Sequence, residues 1–292
     1  MRSIAIMGQM GTVGKTTSAV NISVALAATG KRVCVVDLDP QAHATQHLGM
    51  NLDSQHNAKS ICDVLSGENT IAEVRQQVKE NLWLIPAHPN MIGTELELRN
   101  VAGREFFLRD RFAEDNFPLD YLFFDCPSSL GLFTINALTT VQDIFVSLQP
   151  HYFALNGLMR LVETLEEVKK RLNKSLRLLG IILCMFDDTK LADEVLQEIV
   201  EVFGQRDKLP AVCQDAIIFD TKIRRDLQLA EAMSHGCPIF AYAPNSSGAE
   251  EYRNLAAEIG TINDSIVSDG NIGASLLPFQ ISSDRKRMAV AR

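Results

Sequence analysis

Small residues surround one lysine near the amino terminus, in the segment from Gly8 to Thr17. A phosphate-binding loop needs small residues, because successive backbone N–H groups must curl around an anion, and a following helix that adds its dipole. Gly14 allows close approach, Lys15 can hold the β- and γ-phosphates, and the Thr16 hydroxyl can bind Mg²⁺. The strict loop pattern begins with a glycine where this chain has Gln9. The position of the segment, between an apolar run and a helical stretch, predicts a nucleotide phosphate site.

Carboxylates stand at the ends of two further apolar segments. Asp37 ends the segment Arg32–Asp37 and Asp39 follows it, while Asp125 ends the segment Tyr121–Asp125. Two carboxylates at i and i+2 at the carboxyl end of a strand can serve one site. One acts through Mg²⁺ and its waters, and the other orients an attacking water. The sequence therefore predicts that the three aspartates share a magnesium site with the glycine-rich loop.

Short apolar segments alternate with helical stretches along the chain, which predicts an α/β fold. Because the apolar segments are continuous, we expect strands buried on both faces of a doubly wound, mostly parallel sheet, with the ligand at their carboxyl ends. The predicted strands are Ser3–Met7, Arg32–Asp37, Leu82–Pro86, Tyr121–Asp125, Asp143–Leu148 and Leu178–Met185, and the clearest predicted helices are Lys15–Ala28, Leu155–Leu172 and Leu191–Phe203.

Composition excludes several classes of protein. The 292 residues are 46% hydrophobic with a net charge of −8, which excludes a largely disordered chain and a uniformly basic nucleic-acid-binding protein. Six scattered cysteines and no apolar run of membrane-spanning length predict a cytoplasmic protein. We expect one domain over residues 1–260 and a flexible C-terminal extension over 261–292. There Pro278 interrupts an apolar stripe that is too short for a membrane anchor.

Several segments together resemble the ParA/MinD family of deviant-Walker ATPases, most closely its ParA-type partition proteins, from residue 3 to about 260. Gln9–Thr17 aligns with the family's glycine-rich loop without a gap, and Asp37–Gln41 matches the second motif residue for residue. Asp125–Gly131 is similar to the third motif, with Ser128 where a proline is usual. The segments Gln149–Leu158 and Ile218–Ile239 extend the similarity to the ParA branch.

The resemblance implies a P-loop NTPase fold of the deviant Walker A type, with ATP and Mg²⁺ as cofactors. It also implies an ATP-dependent homodimer and nonspecific DNA binding, hence association with the nucleoid. A ParB-like or cargo-adaptor protein would stimulate slow hydrolysis, and so DNA or another cargo would be partitioned or positioned. Lys15 and Asp39 would act in catalysis, Asp39 by orienting the hydrolytic water. The residues implied to bind the nucleotide are Gly11, Thr12, Val13, Gly14, Lys15, Thr16 and Thr17, and those implied to bind Mg²⁺ are Thr16, Asp125 and Asp37.

The loop departs from the family pattern at two positions. Met10 stands where the family's signature lysine reaches the partner subunit's phosphates, and a methionine cannot offset phosphoryl charge. Thr12 replaces a glycine, so the loop is strained or reshaped if this position needs a positive φ. Three explanations compete: a lysine-less branch that uses another cation in trans, an ATP-sensing regulatory adaptor with little or no hydrolysis, and an altered loop that has lost activity. The retention of Lys15, Asp39 and Asp125 favours the first.

The DNA binding that the resemblance implies depends on a group of basic residues that can also be explained in another way. Gln228 replaces a family arginine linked to DNA binding. Lys222, Arg224 and Arg225 lie close by and could form a compensating patch that binds DNA phosphates without sequence preference. An ordinary solvated charged face explains these three residues equally well. The sequence does not identify the cargo.

Overall fold

The computed structural model describes residues 1–8, 11–50 and 59–262. One compact unit comprises Met1–Glu258, and Ile259 begins a second unit, of which residues 259–262 are described. The predicted extension therefore lies almost entirely outside the described residues, and its flexibility stays a prediction. Among the described helices, none combines the length and the hydropathy that a membrane span requires.

Eight strands form one sheet within the described residues. They are β1 (Arg2–Met7), β2 (Val33–Asp37), β3 (Gln76–Lys79), β4 (Leu82–Ile85), β5 (Tyr121–Asp125), β6 (Asp143–Leu148), β7 (Arg177–Leu183) and β8 (Ile217–Ile218). The order across the sheet is β3-β4-β2-β5-β1-β6-β7-β8. All neighbours are parallel except β3 and β4, which are antiparallel. The predicted mostly parallel α/β sheet is confirmed.

Helices connect the strands in the same part of the chain. They are α1 (Lys15–Ala28), α2 (His43–His47), α3 (Ile61–Ser66), α4 (Ile71–Val74), α5 (Met91–Leu98), α6 (Phe107–Glu114), α7 (Leu132–Thr140), α8 (Ala154–Arg171), α9 (Lys190–Gly204), α10 (Leu227–Ser234), α11 (Ile239–Tyr242) and α12 (Ser247–Thr261). Short 3₁₀ turns lie at Arg104–Phe106, Arg206–Lys208 and Ala211–Cys213. The local sequence explains where two of these helices begin. Ser60 and Asp63 form a capping box at the start of α3, and Thr189 caps α9.

All six predicted strands and the three named helices are present in the structure. Helix α1 and strands β5 and β6 have the predicted bounds. Strands β1, β2 and β4 differ by one residue at one end, and β7 differs by one residue at its start and two at its end. Strands β3 and β8 were not predicted. β3 reads Gln-Gln-Val-Lys at the sheet edge and β8 has only two residues, so neither carries the continuous apolar run of a buried strand.

Strand β1 lies in the middle of the sheet, between β5 and β6. Its residues Ile4, Ala5 and Ile6 are fully buried, and the chain leaves its carboxyl end directly into the glycine-rich loop. The register pairs Asp125 of β5 with Ile6 on one side and with Asp37 of β2 on the other. The parallel arrangement therefore brings the loop and two aspartates to the same edge, as strand ends in a parallel sheet must.

Buried polar contacts hold helix α1 in its place. The Ser18 hydroxyl shares a hydrogen bond of 3.1 Å with the hydroxyl of Tyr252 on α12, and lies 3.6 Å from the Cys184 thiol. The Asn21 side chain accepts a hydrogen bond of 3.0 Å from the Ile239 backbone N–H. Because α1 is buried on nearly all sides, these contacts help to set the position of its first turn relative to the sheet.

We expect Tyr252→Phe to lower the free energy of unfolding by about 1–2 kcal/mol, because it leaves the buried Ser18 hydroxyl without this partner. Tyr242→Phe is the matched control, since the Tyr242 hydroxyl bonds to Glu231 at an exposed position; its loss should cost less than about 0.5 kcal/mol. Urea unfolding of both variants measures the difference. Equal effects would contradict a structural role for the buried pair.

Candidate phosphate and magnesium site

Close packing and positive backbone φ angles determine the shape of the loop after β1. A Cβ atom on Gly8 would lie 2.7 Å from Val13 Cγ2 and 2.9 Å from the Ser147 carbonyl oxygen, so only glycine fits there. Gly14 has φ of 83° and Thr12 has φ of 62°. The positive φ considered for Thr12 is therefore present, in a region that a β-branched side chain disfavours by roughly 1–2 kcal/mol. Gln9 and Met10 lie outside the described residues, so the consequence of Met10 stays a prediction.

Helix α1 begins directly after this loop, so the backbone N–H groups of its first turn have no preceding helical turn to bond to. Gly14 is its N-cap, no side chain caps it, and no acidic residue stands in the first turn. The first intrahelical bond closes from Ser18 N–H to the Gly14 carbonyl oxygen, over 2.8 Å. The N–H groups of Lys15, Thr16 and Thr17 thus have no carbonyl partner within the helix, and together with the helix dipole they suit a bound phosphate.

Lys15 carries its charge in a largely desolvated position. Only 7% of the residue is exposed, and Nζ donates a hydrogen bond of 2.9 Å to Ser128 Oγ in the loop after β5. Burial lowers the pKa of Lys15, while the carboxylates of Asp125 and Asp39 raise it. An ammonium group in such a place is poorly hydrated, so an approaching phosphate meets a strong positive partner.

Asp125 is a buried carboxylate with unfilled acceptor positions. The residue is fully buried, and neither side-chain oxygen has a partner at hydrogen-bond geometry within the described residues. Burial, followed by the nearby carboxylate of Asp37, raises the pKa of Asp125 well above its usual range, while the Thr16 hydroxyl lowers it. Such an orphaned carboxylate beside a threonine hydroxyl fits Mg²⁺, which is commonly held by one or two protein oxygens together with phosphates and water. Among the described residues, no three His, Cys, Asp or Glu side chains cluster as an all-protein metal cage would require.

Asp37 is fully buried, and both of its side-chain oxygens are already engaged. Oδ1 accepts a bond of 3.0 Å from the Asp39 N–H, and Oδ2 accepts bonds of 2.8 and 2.7 Å from the N–H and hydroxyl of Thr45. Burial raises the pKa of Asp37 to about 6, against the effect of these hydrogen bonds. The geometry makes Asp37 a support that joins β2 to α2 beside Asp125, and its Oδ1, which accepts a single bond, keeps one lone pair.

Asp39 follows the carboxyl end of β2, at the same edge of the sheet. The residue is half-buried, and its Oδ1 accepts a hydrogen bond of 2.9 Å from the Gln41 N–H. Its charge acts on both Lys15 and Asp125, raising the pKa of each. The structure therefore brings the predicted catalytic aspartate near the lysine and the metal-side acid, and its action on a water molecule stays a prediction.

The three residues predicted to bind DNA already have partners. Arg224 pairs with Glu251 at 3.6 Å, and Arg225 pairs with Asp187 at 3.4 Å. Lys222 Nζ lies 4.1 Å from the centre of the Phe186 ring. The acidic partners reduce the positive potential of this face, so the structure leaves the predicted patch and the alternative of an ordinary charged face both open.

Sequence reasoning missed several residues that shape the site. Thr45 holds Asp37, and Tyr252 holds Ser18, although neither lies in a recognisable motif. Ser128 stood out only as a departure from a proline, which did not predict its bond to Lys15. These contacts join residues far apart in the chain, so no local pattern could have indicated them.

Known proteins are similar in sequence to this chain over most of its length. A family model described as an AAA domain matches residues 1–178. "Chromosome-partitioning ATPase Soj" of Treponema pallidum (strain Nichols) is 37% identical over 260 residues, covering 88% of this chain and 96% of that protein. "Sporulation initiation inhibitor protein Soj" of Bacillus subtilis (strain 168) is 40% identical over 258 residues, covering 88% and 97%.

Solved structures share the fold. A structure titled as cobyrinic acid a,c-diamide synthase from Mycobacterium smegmatis, with bound ATP analog and magnesium, has a TM-score of 0.74 at 30% identity and covers 93% of this chain and 97% of that one. The cell division ATPase MinD of Pyrococcus furiosus has a TM-score of 0.71 at 23% identity, covering 90% and 99%. The last similarity concerns the fold alone.

We expect Asp125→Asn to stabilise the nucleotide-free protein by about 1–3 kcal/mol at pH 7.5, because it removes an uncompensated buried charge. The pKa of Asp125 is raised in the folded state, so the carboxylate form destabilises the fold as pH rises and the gain from asparagine shrinks at low pH. The same variant should lose the rise in melting temperature that Mg²⁺ and ATP give the unaltered protein.

Asp120→Asn provides the control for this measurement. Asp120 precedes the opposite end of β5 and pairs with Arg32, which lowers the pKa of Asp120. Its replacement should leave stability unchanged or slightly reduced. An Asp125→Asn variant that is less stable than the Asp120→Asn variant at pH 7.5 would contradict the description of Asp125 as a strained buried charge.

Proposed function

Because this chain belongs to the ParA/MinD family of deviant-Walker ATPases, we propose that it is a partition or positioning ATPase that dimerises on ATP and binds DNA nonspecifically. ATP and Mg²⁺ are its cofactors. The observation that carries the proposal is the meeting of a desolvated Lys15 ammonium and an orphaned Asp125 carboxylate at the end of the central strands. A buried cation and a buried anion that lack full solvation are poised for an anionic ligand and a metal ion.

Each group at this edge of the sheet has a proposed role in binding the nucleotide. The backbone N–H groups from Gly11 to Thr17 and the α1 dipole would surround the phosphates, and Lys15 would hold the β- and γ-phosphates. Thr16 and Asp125 would hold Mg²⁺, with Asp37 fixing the place of Asp125. The bound Mg²⁺ neutralises charge on the phosphate oxygens.

Hydrolysis needs a positioned water and compensation of charge on the transferring phosphoryl group. Asp39 would orient the water, since its carboxylate stands at the open end of β2 near Lys15. Met10 cannot supply the second cation, so we place that role on a positive group of the partner subunit in the ATP dimer. If no such group exists, the protein is an ATP-sensing adaptor with little turnover, because a missing transition-state cation costs about 10³-fold or more.

The names of the relatives support a class of partner. Several of these names refer to chromosome partitioning, among them those of proteins from Treponema pallidum (strain Nichols) and Caulobacter vibrioides (strain NA1000 / CB15N). This supports a ParB-like or cargo-adaptor partner for this chain. DNA phosphates would have to compete with Glu251 and Asp187 for Arg224 and Arg225, so we expect weak DNA binding that falls steeply with salt.

Lys15→Ala should reduce ATP affinity by more than about 100-fold, because the phosphates lose their charged partner. Equilibrium titration with a fluorescent ATP analogue and Mg²⁺ measures the effect. Lys31→Ala is the control, since Lys31 is an exposed lysine after α1 and should leave affinity unchanged. Unchanged affinity in Lys15→Ala would refute the assignment of the loop.

Turnover separates the two candidate functions. The full-length protein is assayed for phosphate release and for dimerisation, each with ATP alone, with duplex DNA, and with a ParB-like protein from the same organism. Turnover that the ParB-like protein raises supports the ATPase. ATP-dependent dimers without turnover under any condition support the adaptor, and no dimer with ATP would contradict both.

Met10→Lys should raise the hydrolysis rate, because it restores a loop cation that can offset phosphoryl charge in trans. The increase approaches about 10³-fold if no other cation acts there, and is slight if one already does. Met10→Gln, similar in length but uncharged, is the matched control and should leave the rate unchanged. An equal rise in both variants would contradict a charge effect.

A further inference from the structure

Ser128 reaches the phosphate-binding lysine from the loop that follows β5. It stands three residues after Asp125, and its Oγ accepts a hydrogen bond of 2.9 Å from Lys15 Nζ. Ser128 is exposed and Lys15 is buried, so the bond joins a desolvated ammonium group to a hydroxyl at the open edge of the site. The proline that is usual at this position in the family has neither a hydroxyl nor an N–H, so the contact belongs to this chain's own sequence.

Resting on the proposed function, we propose that Ser128 is a positioning residue for Lys15, holding its ammonium group where the β- and γ-phosphates bind. An ammonium group has three N–H donors. Lys15 can therefore keep its bond to Ser128 and still donate to phosphate oxygens, so Ser128 need not move when ATP enters. Holding a long, flexible side chain in advance also reduces the conformational entropy that binding would otherwise cost.

This positioning matters more here than in a loop with two lysines. Lys15 is the single lysine between Gly8 and Thr17, because Met10 replaces the other. The phosphate contacts of this loop therefore depend on one ammonium group. A hydrogen bond to a charged group is also worth more than one between neutral groups, so the Ser128 hydroxyl is a stronger support than its exposure suggests.

Three single substitutions in the full-length protein test the proposal. Affinity is measured by titration with a fluorescent ATP analogue and Mg²⁺, and folding by melting temperature without nucleotide. Ser128→Ala should raise the Kd about tenfold, whereas Ser128→Thr keeps the hydroxyl and should stay within about twofold. Ser129→Ala is the matched control, an equally exposed neighbour, and should bind as the unaltered protein does. All three should melt at the same temperature.

Several results would overturn the proposal. Unaltered affinity in Ser128→Ala, alongside lost affinity in Lys15→Ala, would remove the role of Ser128 and leave the proposed function intact. Tighter binding by Ser128→Ala would show that the serine competes with phosphate for the lysine. An affinity in Ser128→Thr as low as in Ser128→Ala would show that the hydroxyl is not the group that matters. Full affinity in Lys15→Ala would instead overturn the proposed function itself.

Discussion

Opposite charges held out of water at one edge of the sheet are the constraint on which the site depends. Lys15 is 7% exposed and Asp125 is fully buried, and burial opposes the charged form of each. Within the described residues, neither oxygen of Asp125 has a partner at hydrogen-bond geometry. A divalent cation and a phosphate would supply partners to Asp125 and Lys15, so part of the cost of burying these two charges would be recovered on binding.

The sheet imposes this constraint because its strands are parallel and its centre is β1. The loop leaves the middle of the sheet, where neighbouring strands on both sides are fixed, so Asp125 and Asp37 come into register beside it. Behind the loop, the pair of Ser18 and Tyr252 connects α1 to α12. A rigid scaffold of this kind keeps the charges close despite the cost, as preorganised sites require.

Three departures from the family pattern fall in two loops at this edge. Met10 removes a cation, Thr12 takes a positive φ that costs backbone strain, and Ser128 adds a hydroxyl that contacts Lys15. Thr12 and Ser128 both lie in segments that reach the predicted phosphate position. Of these three departures, the contact of Ser128 with Lys15 and the positive φ of Thr12 are properties of the described structure, whereas the effect of Met10 on hydrolysis stays a prediction.

The sequence by itself determined the glycine-rich loop, the order of buried strands and the identity of the three aspartates. Continuous apolar runs and the sequence Gly14-Lys15-Thr16 are local patterns, and local patterns can be read from neighbouring residues. Only the tertiary structure decided which aspartate keeps free oxygens. Asp37 and Asp125 both end apolar strands, yet Asp39 and Thr45 donate hydrogen bonds to the two oxygens of Asp37, whereas neither oxygen of Asp125 has a partner at hydrogen-bond geometry within the described residues. Long-range contacts such as this one depend on how distant segments pack, which no local spacing encodes.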